Sequence, residues 1–152
     1  MINPNDNIKC ELLYRLSEHG EQYSKFHELC DNQGPLLVLY QIKEGNIIGV
    51  YIPLILDKNK DGWQNDMDTF IFDLNQNIKY KKKKSSRSLY YANNHGIYTG
   101  DFGNGSFCQS MKKLVYYPDN MSSYYDNGSK ILPNKGNKTY YELLEFEVFK
   151  VK

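Results

Sequence analysis

The stretch LLVLYQIKEGNIIGVYIPLIL, Leu36 to Leu56, decides the architecture. Leu36 to Ile42 is a dense run of leucine, β-branched and aromatic side chains. Lys43-Glu44-Gly45-Asn46 is a turn, and Ile47 to Leu56 returns as a second apolar run. Two such runs about a short glycine-containing turn predict a β-hairpin. Nearly every position in both runs is apolar, which predicts strands covered on both faces, as in the middle of a sandwich. Pro53 marks an edge, a bulge or a strand end, because proline has no N–H to give a ladder.

Toward the N-terminus, Glu21 to Cys30 (EQYSKFHELC) reads as a helix, with Tyr23, Phe26, Leu29 and Cys30 forming one apolar stripe. Asp31-Asn32-Gln33-Gly34-Pro35 ends it. Glu11 to Ser17 (ELLYRLS) is too short for periodicity to separate helix from strand, and His19-Gly20 breaks it. Toward the C-terminus, Asp57 to Asp66 is a polar loop and Thr69 to Leu74 (TFIFDL) alternates as a strand does. Lys79 to Lys84 and Ser88 to Ala92 are weaker strands around a basic turn. From Asn93 to Lys138 the Gly, Asn, Ser and Tyr content predicts irregular surface loops, with short strands near Phe107-Cys108 and Leu114 to Tyr117. Tyr141 to Val151 (YELLEFEVFKV) is a long closing strand. There is no internal repeat. Many strands with one good helix predict an α+β, mainly β fold: two packed antiparallel sheets, a β-sandwich, with a few short flanking helices. The expected organisation is a polar leader over 1–10 and one domain over 11–152.

A chain of 152 residues, 40% hydrophobic and 24% charged, can bury a core and is not a disordered composition. The 14 Tyr and 7 Phe suit half-buried pleated surfaces. A net charge of +1 opposes a domain-wide footprint for nucleic acid or anionic membrane. No apolar run is long enough to span a bilayer, and the polar Met1 to Lys9 segment predicts no signal peptide. Sequons at Asn104, Asn120, Asn127 and Asn137 then mark only surface loops. Three separated cysteines, Cys10, Cys30 and Cys108, fit reduced thiols and a cytoplasmic location better than a disulfide framework.

Few motifs carry chemistry. Asp57, Asn59 and Asp61, with Gly62, Asn65 and Asp68, stand at the positions of an EF-hand loop, where oxygens converge on a hard cation about a glycine turn. The flanks read as strands, position 8 is Gln64, and position 12 is Asp rather than a bidentate Glu, so a polar connector is the favoured reading. His27-Glu28-Leu29-Cys30 places His and Cys on one helix face but lacks a second His or a CxxC pair, which favours core packing over a metal. A thiol nucleophile at Cys30 or Cys108 needs a base, and His19, His27 and His95 are the available imidazoles. Lys81 to Arg87 is a local basic patch, with Tyr80, Tyr90 and Tyr91 nearby for base stacking; a solvated hairpin turn is the favoured reading, and contact with an acidic partner surface ranks ahead of nucleic acid. Gly100 to Gly105 neither follows a clear strand nor opens a helix, so it fails as a phosphate loop. No catalytic, cofactor-binding or metal residues are assigned, and no cofactor is implied.

Six segments, in order, resemble the TLDc family, the domain of the oxidation-resistance proteins and of some Rab-GAP relatives. LLYRLSEHG (Leu12 to Gly20) resembles the opening LY-x-x-S-x-x-G segment, and FHELCDNQGPLLVL (Phe26 to Leu39) resembles FH-x-x-CDN-x-GPTL as protist members write it. GNIIGVYI (Gly45 to Ile52), DTFIFDL (Asp68 to Leu74), GDFGNGSF (Gly100 to Phe107) and LLEFEVFKV (Leu143 to Val151) resemble four later segments. The chain departs from the family at Leu36, Glu18-His19 and Val50, and matches poorly from Ser110 to Lys138. The resemblance implies a β-sandwich and a role in oxidative-stress protection. It also implies, in several members, binding to and regulation of the vacuolar proton-pumping ATPase, and it supplies no agreed catalytic residues. The expected function is therefore a monomeric, non-enzymatic protein-interaction and regulatory module. The alternatives are a thiol-dependent redox enzyme and a calcium-binding module. The loops from Asn93 to Asn137 and the Glu21 to Cys30 helix are the expected interface.

Overall fold

The computed structural model describes residues 7–83, 89–99, 102–105, 110–133 and 136–152. Among these, the elements run β1 (Cys10–Arg15), α1 (Leu16–His19), α2 (Tyr23–Cys30), β2 (Leu36–Ile42), β3 (Ile47–Ile52), β4 (Gly62–Gln64), β5 (Phe70–Asp73) and β6 (Ile78–Tyr80). They continue as β7 (Leu89–Tyr91), β8 (Tyr98–Thr99), β9 (Phe102–Gly105), β10 (Ser110–Tyr116), α3 (Pro118–Tyr124), a 3-10 turn at Gly128–Lys130 and β11 (Thr139–Val151). Of the described residues 44% are strand and 17% helix, so the protein is mainly β, with two antiparallel sheets and a few short helices.

The predicted hairpin forms as read: β2 and β3 pair antiparallel with Leu36 opposite Ile52 and Gln41 opposite Ile47. Pro53 falls just past the end of β3. One sheet runs β1-β11-β2-β3-β5-β6 and the other β4-β7-β8-β9-β10-β11. The 13-residue β11 serves both. Thr139 to Glu142 pair with β10, and Leu143 to Lys150 pair with β2, with a register shift between Leu143 and Glu145. A bulge at such a point bends a strand, which lets one strand turn the corner between two layers.

The layers meet over one core. Leu36, Val38, Tyr40, Phe146 and Val148 from the first sheet join Leu89, Tyr91, Leu114 and Tyr116 from the second. Phe146 stacks on Tyr40 with ring centroids 5.2 Å apart and also meets Tyr14 and Phe26. The tyrosine-rich composition has a structural use, since a buried phenol needs a partner for its hydroxyl. Tyr116 donates to the Gly128 carbonyl at 2.6 Å, Tyr80 to the Lys130 carbonyl at 3.2 Å, and Tyr141 to the Pro133 carbonyl. These bonds fasten the segment after α3 to the sheets.

Three expectations change. The Glu11 to Ser17 segment resolves into strand β1 followed by helix α1. The Asp57 to Asp66 loop contains the short strand β4, which exists by pairing with the distant β7. The Asn93 to Lys138 region, expected to be largely irregular, also holds β8, β9 and α3; the expected strand at Leu114 to Tyr117 is the second half of β10, and the one expected at Phe107-Cys108 lies outside the described residues. For α3 a signal was present, because Pro118 occupies a first-turn position and Asp119 follows it, both favoured at helix starts.

Candidate functional site

The β2–β3 hairpin differs from its sequence reading in one respect that bears on function. Its side chains toward the core are buried, but Leu37, Leu39, Ile47 and Tyr51 on the opposite face are only half-buried, and Gln41 is exposed. Register extends this face across the sheet. Leu12 stands opposite Phe149, Phe149 opposite Leu37, Leu37 opposite Tyr51, and Tyr51 opposite Phe70. Since alternate residues share a face, these five side chains form a transverse apolar row over five strands. Each of the five is half-buried. Tyr51 and Phe70 stack with centroids 5.2 Å apart, and the Lys79 ammonium lies 3.6 Å from the Phe70 ring centre.

A second row begins with an ion pair and ends with a cation. The Arg15 guanidinium donates to Glu147 at 2.7 Å, Leu39 lies opposite Glu147 and Gly49, and Phe72 lies between Gly49 and Lys79. Gly49 gives the Phe72 ring room to lie across its strand: a Cβ there would come within 1.9 to 2.4 Å of three ring carbons and displace the ring. Beside this row Leu39, Ile47, Leu74, Glu145 and Glu147 line a depression of about 130 Å³. Leu74 is 52% exposed. The face is thus a contiguous apolar and aromatic surface edged by charge.

Around the C-terminal end of α2 sits a different, inward-facing cluster. Tyr91 donates to Asp31 Oδ1 at 2.5 Å, His27 Nδ1 lies 2.9 Å from the same oxygen, and the Lys58 N–H donates to Oδ2 at 3.3 Å. A carboxylate only accepts, so Nδ1 of His27 carries the proton. His27 Nε2 is buried with no hydrogen-bond partner among the described residues. Cys30 is fully buried at the last position of α2. Burial, and secondarily the Asp31 charge, push its thiol pKa up. Thiolate is the nucleophilic form, so this environment opposes the chemistry that a redox role at Cys30 requires. Cys10 is exposed, and Cys108 lies outside the described residues.

The other sequence candidates are placed as follows. In the Asp57 to Asp68 connector, Asp57 Oδ1 accepts the Asn59 backbone and side-chain N–H groups at 2.9 and 3.0 Å. Gly62 to Gln64 is strand β4, not the second half of a cation loop. Asp66, which the motif does not use, accepts the Asp68 and Thr69 N–H groups and the Thr69 hydroxyl. Among the described residues no three His, Cys, Asp or Glu side chains gather as a metal site. In the basic patch, Lys82 donates to the Asp66 carbonyl at 2.6 Å and Lys83 to the Ser122 carbonyl. Residues 84–88 lie outside the described residues. Tyr80 and Tyr91 are buried, so neither offers a ring for base stacking. Phe102 to Gly105 is strand β9, paired with β8 and β10, and Gly100 and Asp101 lie outside the described residues.

Of the expected interface, α2 buries Phe26, His27 and Cys30 and leaves mainly Lys25 and Glu28 outward. The apolar outer face escaped the sequence reading because an apolar position looks the same whether the protein or a partner covers it. No helix among the described residues is long and apolar enough to cross a membrane. No curated protein matches the chain. A family model does match, that of the TLDc domain, and it spans residues 1–152. The whole length is covered, and the sandwich is the fold that the resemblance implied, so the chain belongs to the TLDc domain family.

Proposed function

We propose that this TLDc domain is a non-enzymatic protein-interaction and regulatory module linked to oxidative-stress protection, working in the cytoplasm as a monomer. Its partner in this reading is the peripheral sector of the vacuolar proton-pumping ATPase. The observation that carries the binding role is the row Leu12, Phe149, Leu37, Tyr51 and Phe70. Scattered exposed apolar residues are ordinary, whereas contiguous apolar surface on a soluble fold marks interaction sites. The stress link and the pump come from family membership. The buried thiol of Cys30 gives the thiol-enzyme alternative little support.

The test is a paired substitution, Leu39→Glu with Tyr51→Glu. Both side chains point away from the core, so the fold is expected to hold, as thermal melting would report. Capture of the pump's peripheral sector should fall by about tenfold or more, since each introduced carboxylate would have to be desolvated at the contact. Undiminished capture by the variant would remove this face from consideration. A parent protein that never captures the sector would remove the pump as partner.

A further inference from the structure

Strand β6 is terminal in its sheet, pairing with β5 on one side. Just beyond it the chain meets the segment after α3: the Asp126 N–H donates to the Lys81 carbonyl and the Lys83 N–H to the Tyr124 carbonyl, both at 2.9 Å. That contact covers Lys81 to Lys83 and leaves Ile78 to Tyr80 without a second strand neighbour among the described residues. A cleft of about 420 Å³ opens there, between β6 and the turn that carries Lys130.

Its distinction is that three lysines gather in one place. Several surface lysines elsewhere face carboxylates: Lys25 meets Glu28 at 3.0 Å, Lys43 meets Glu142 at 2.8 Å, and Lys112 meets Glu21 at 3.0 Å. In the cleft Lys79, Lys81 and Lys130 are all exposed, and none is in an ion pair among the described residues. Asp126 is the sole carboxylate lining it among the described residues. Three ammonium groups against one carboxylate leave the cleft cationic in a chain whose net charge is only +1. Its wall also has apolar character from Ile78, 41% exposed.

We propose that the cleft between β6 and the Asp126 to Lys130 turn receives an acidic, extended segment of a protein partner. Lysines on an edge strand also serve to discourage strand addition, but that role needs no cleft and no contribution from Lys130, which is not on the strand. An extended peptide offers what this place can take: main-chain groups for the open edge of β6, carboxylates for the lysines, and alternate apolar side chains for Ile78. A nucleic acid would want exposed aromatic platforms and a wider basic field, and Tyr80 and Tyr91 are buried. Lys79 also stands over Phe70, so the cleft continues from the apolar row. The proposal rests on the protein-binding reading above and adds the partner's chemistry and the place where its acidic part binds.

The probe is a fluorescein-labelled octapeptide of alternating Glu and Thr, titrated by fluorescence anisotropy against the full chain. Binding that weakens with added salt is expected. The triple reversal Lys79→Glu, Lys81→Glu, Lys130→Glu should weaken it by about tenfold or more, at an unchanged melting temperature. A charge-matched reversal outside the cleft, Lys58→Glu, Lys60→Glu, Lys113→Glu, should not. If the reversal triple fails to fold, the Lys→Gln triple carries the same test with a smaller expected loss. The proposal is overturned if the parent does not bind the peptide, or if the cleft variant binds it as tightly as the parent. It is also overturned if phosphatidylserine vesicles or a single-stranded oligonucleotide bind more tightly than the peptide and lose binding with the same triple. Pump capture separates the two readings. A cleft variant that loses the peptide yet still captures the pump leaves that partner standing with its acidic contact elsewhere. A parent that binds the peptide yet never captures the pump leaves the cleft standing without that partner.

Discussion

At the scale of single residues, stability depends on how buried polar atoms are satisfied. Asp31 accepts from His27, from Tyr91 and from the Lys58 backbone, joining α2 to β7 and to the connector after β3. Tyr91→Phe removes one donor to this largely covered carboxylate, and equilibrium urea unfolding should show a loss of about 2 kcal/mol. Gly128 is fixed by close approach: a Cβ there would lie 2.1 Å from the Met121 carbonyl oxygen, a backbone atom that cannot swing away. Gly128→Ala should therefore cost about 1–3 kcal/mol by the same measurement and loosen the turn beside the cationic cleft. Thiol labelling reads a third property. In the native state an aromatic disulfide reagent should modify exposed Cys10 and leave buried Cys30 unreacted until the protein unfolds. Rapid native labelling of Cys30 would show that the α2 cluster opens readily.

At the scale of elements, β11 is the member on which both sheets depend. Its C-terminal half lies between β1 and β2, and its N-terminal half pairs with β10. Phe146 sits in that strand against Tyr40, Tyr14 and Phe26, so Phe146→Ala should cost about 3–5 kcal/mol, seen as a large fall in the denaturation midpoint. Glu145, next in sequence, ties α1 to this strand by accepting the Ser17 N–H at 3.1 Å. Burial pushes its carboxyl pKa up, but hydrogen bonds from Ser17 and from the Phe146 N–H, with Arg15 nearby, outweigh this and hold it below the usual carboxylate value. A folded-state pKa below the unfolded one means a stabilising share that is present above the unfolded pKa and is lost as pH falls through the folded one. Glu145→Gln should thus lower the denaturation midpoint near neutral pH, and the gap from the parent should close as the pH is taken below the carboxylate range. A gap of constant size would mean that the carboxylate charge contributes nothing.

At the scale of the molecule, two surfaces stand out, the apolar outer face and the cationic cleft at its β6 edge. A combined Leu39→Glu, Tyr51→Glu, Lys79→Glu, Lys81→Glu, Lys130→Glu protein should melt close to the parent and lose partner capture more completely than either set alone. Full capture by either set alone would mean that only the other surface is used. Local pattern made much of this architecture legible. Leu36 to Leu56 read as a hairpin whose second strand in fact stops at Ile52, Glu21 to Cys30 held the helix that forms from Tyr23, and Tyr141 to Val151 read as the closing strand, because apolar periodicity and turn chemistry act between near neighbours. The ordered motifs from Leu12 to Val151 were enough to indicate the family. Strands β4, β8 and β9 were not legible, since two to four residues carry no periodicity and each strand exists through pairing with chain far from it. The site was legible only as ingredients: Lys79, Lys81 and Lys130 are separated in sequence, and Leu12, Leu37, Tyr51, Phe70 and Phe149 span almost the whole chain. The sequence by itself therefore determined which segments become strands and which of their residues are apolar. Only the tertiary structure decided which apolar face the protein covers and which it leaves half-open, because coverage depends on the elements packed against a strand and not on the strand's own residues.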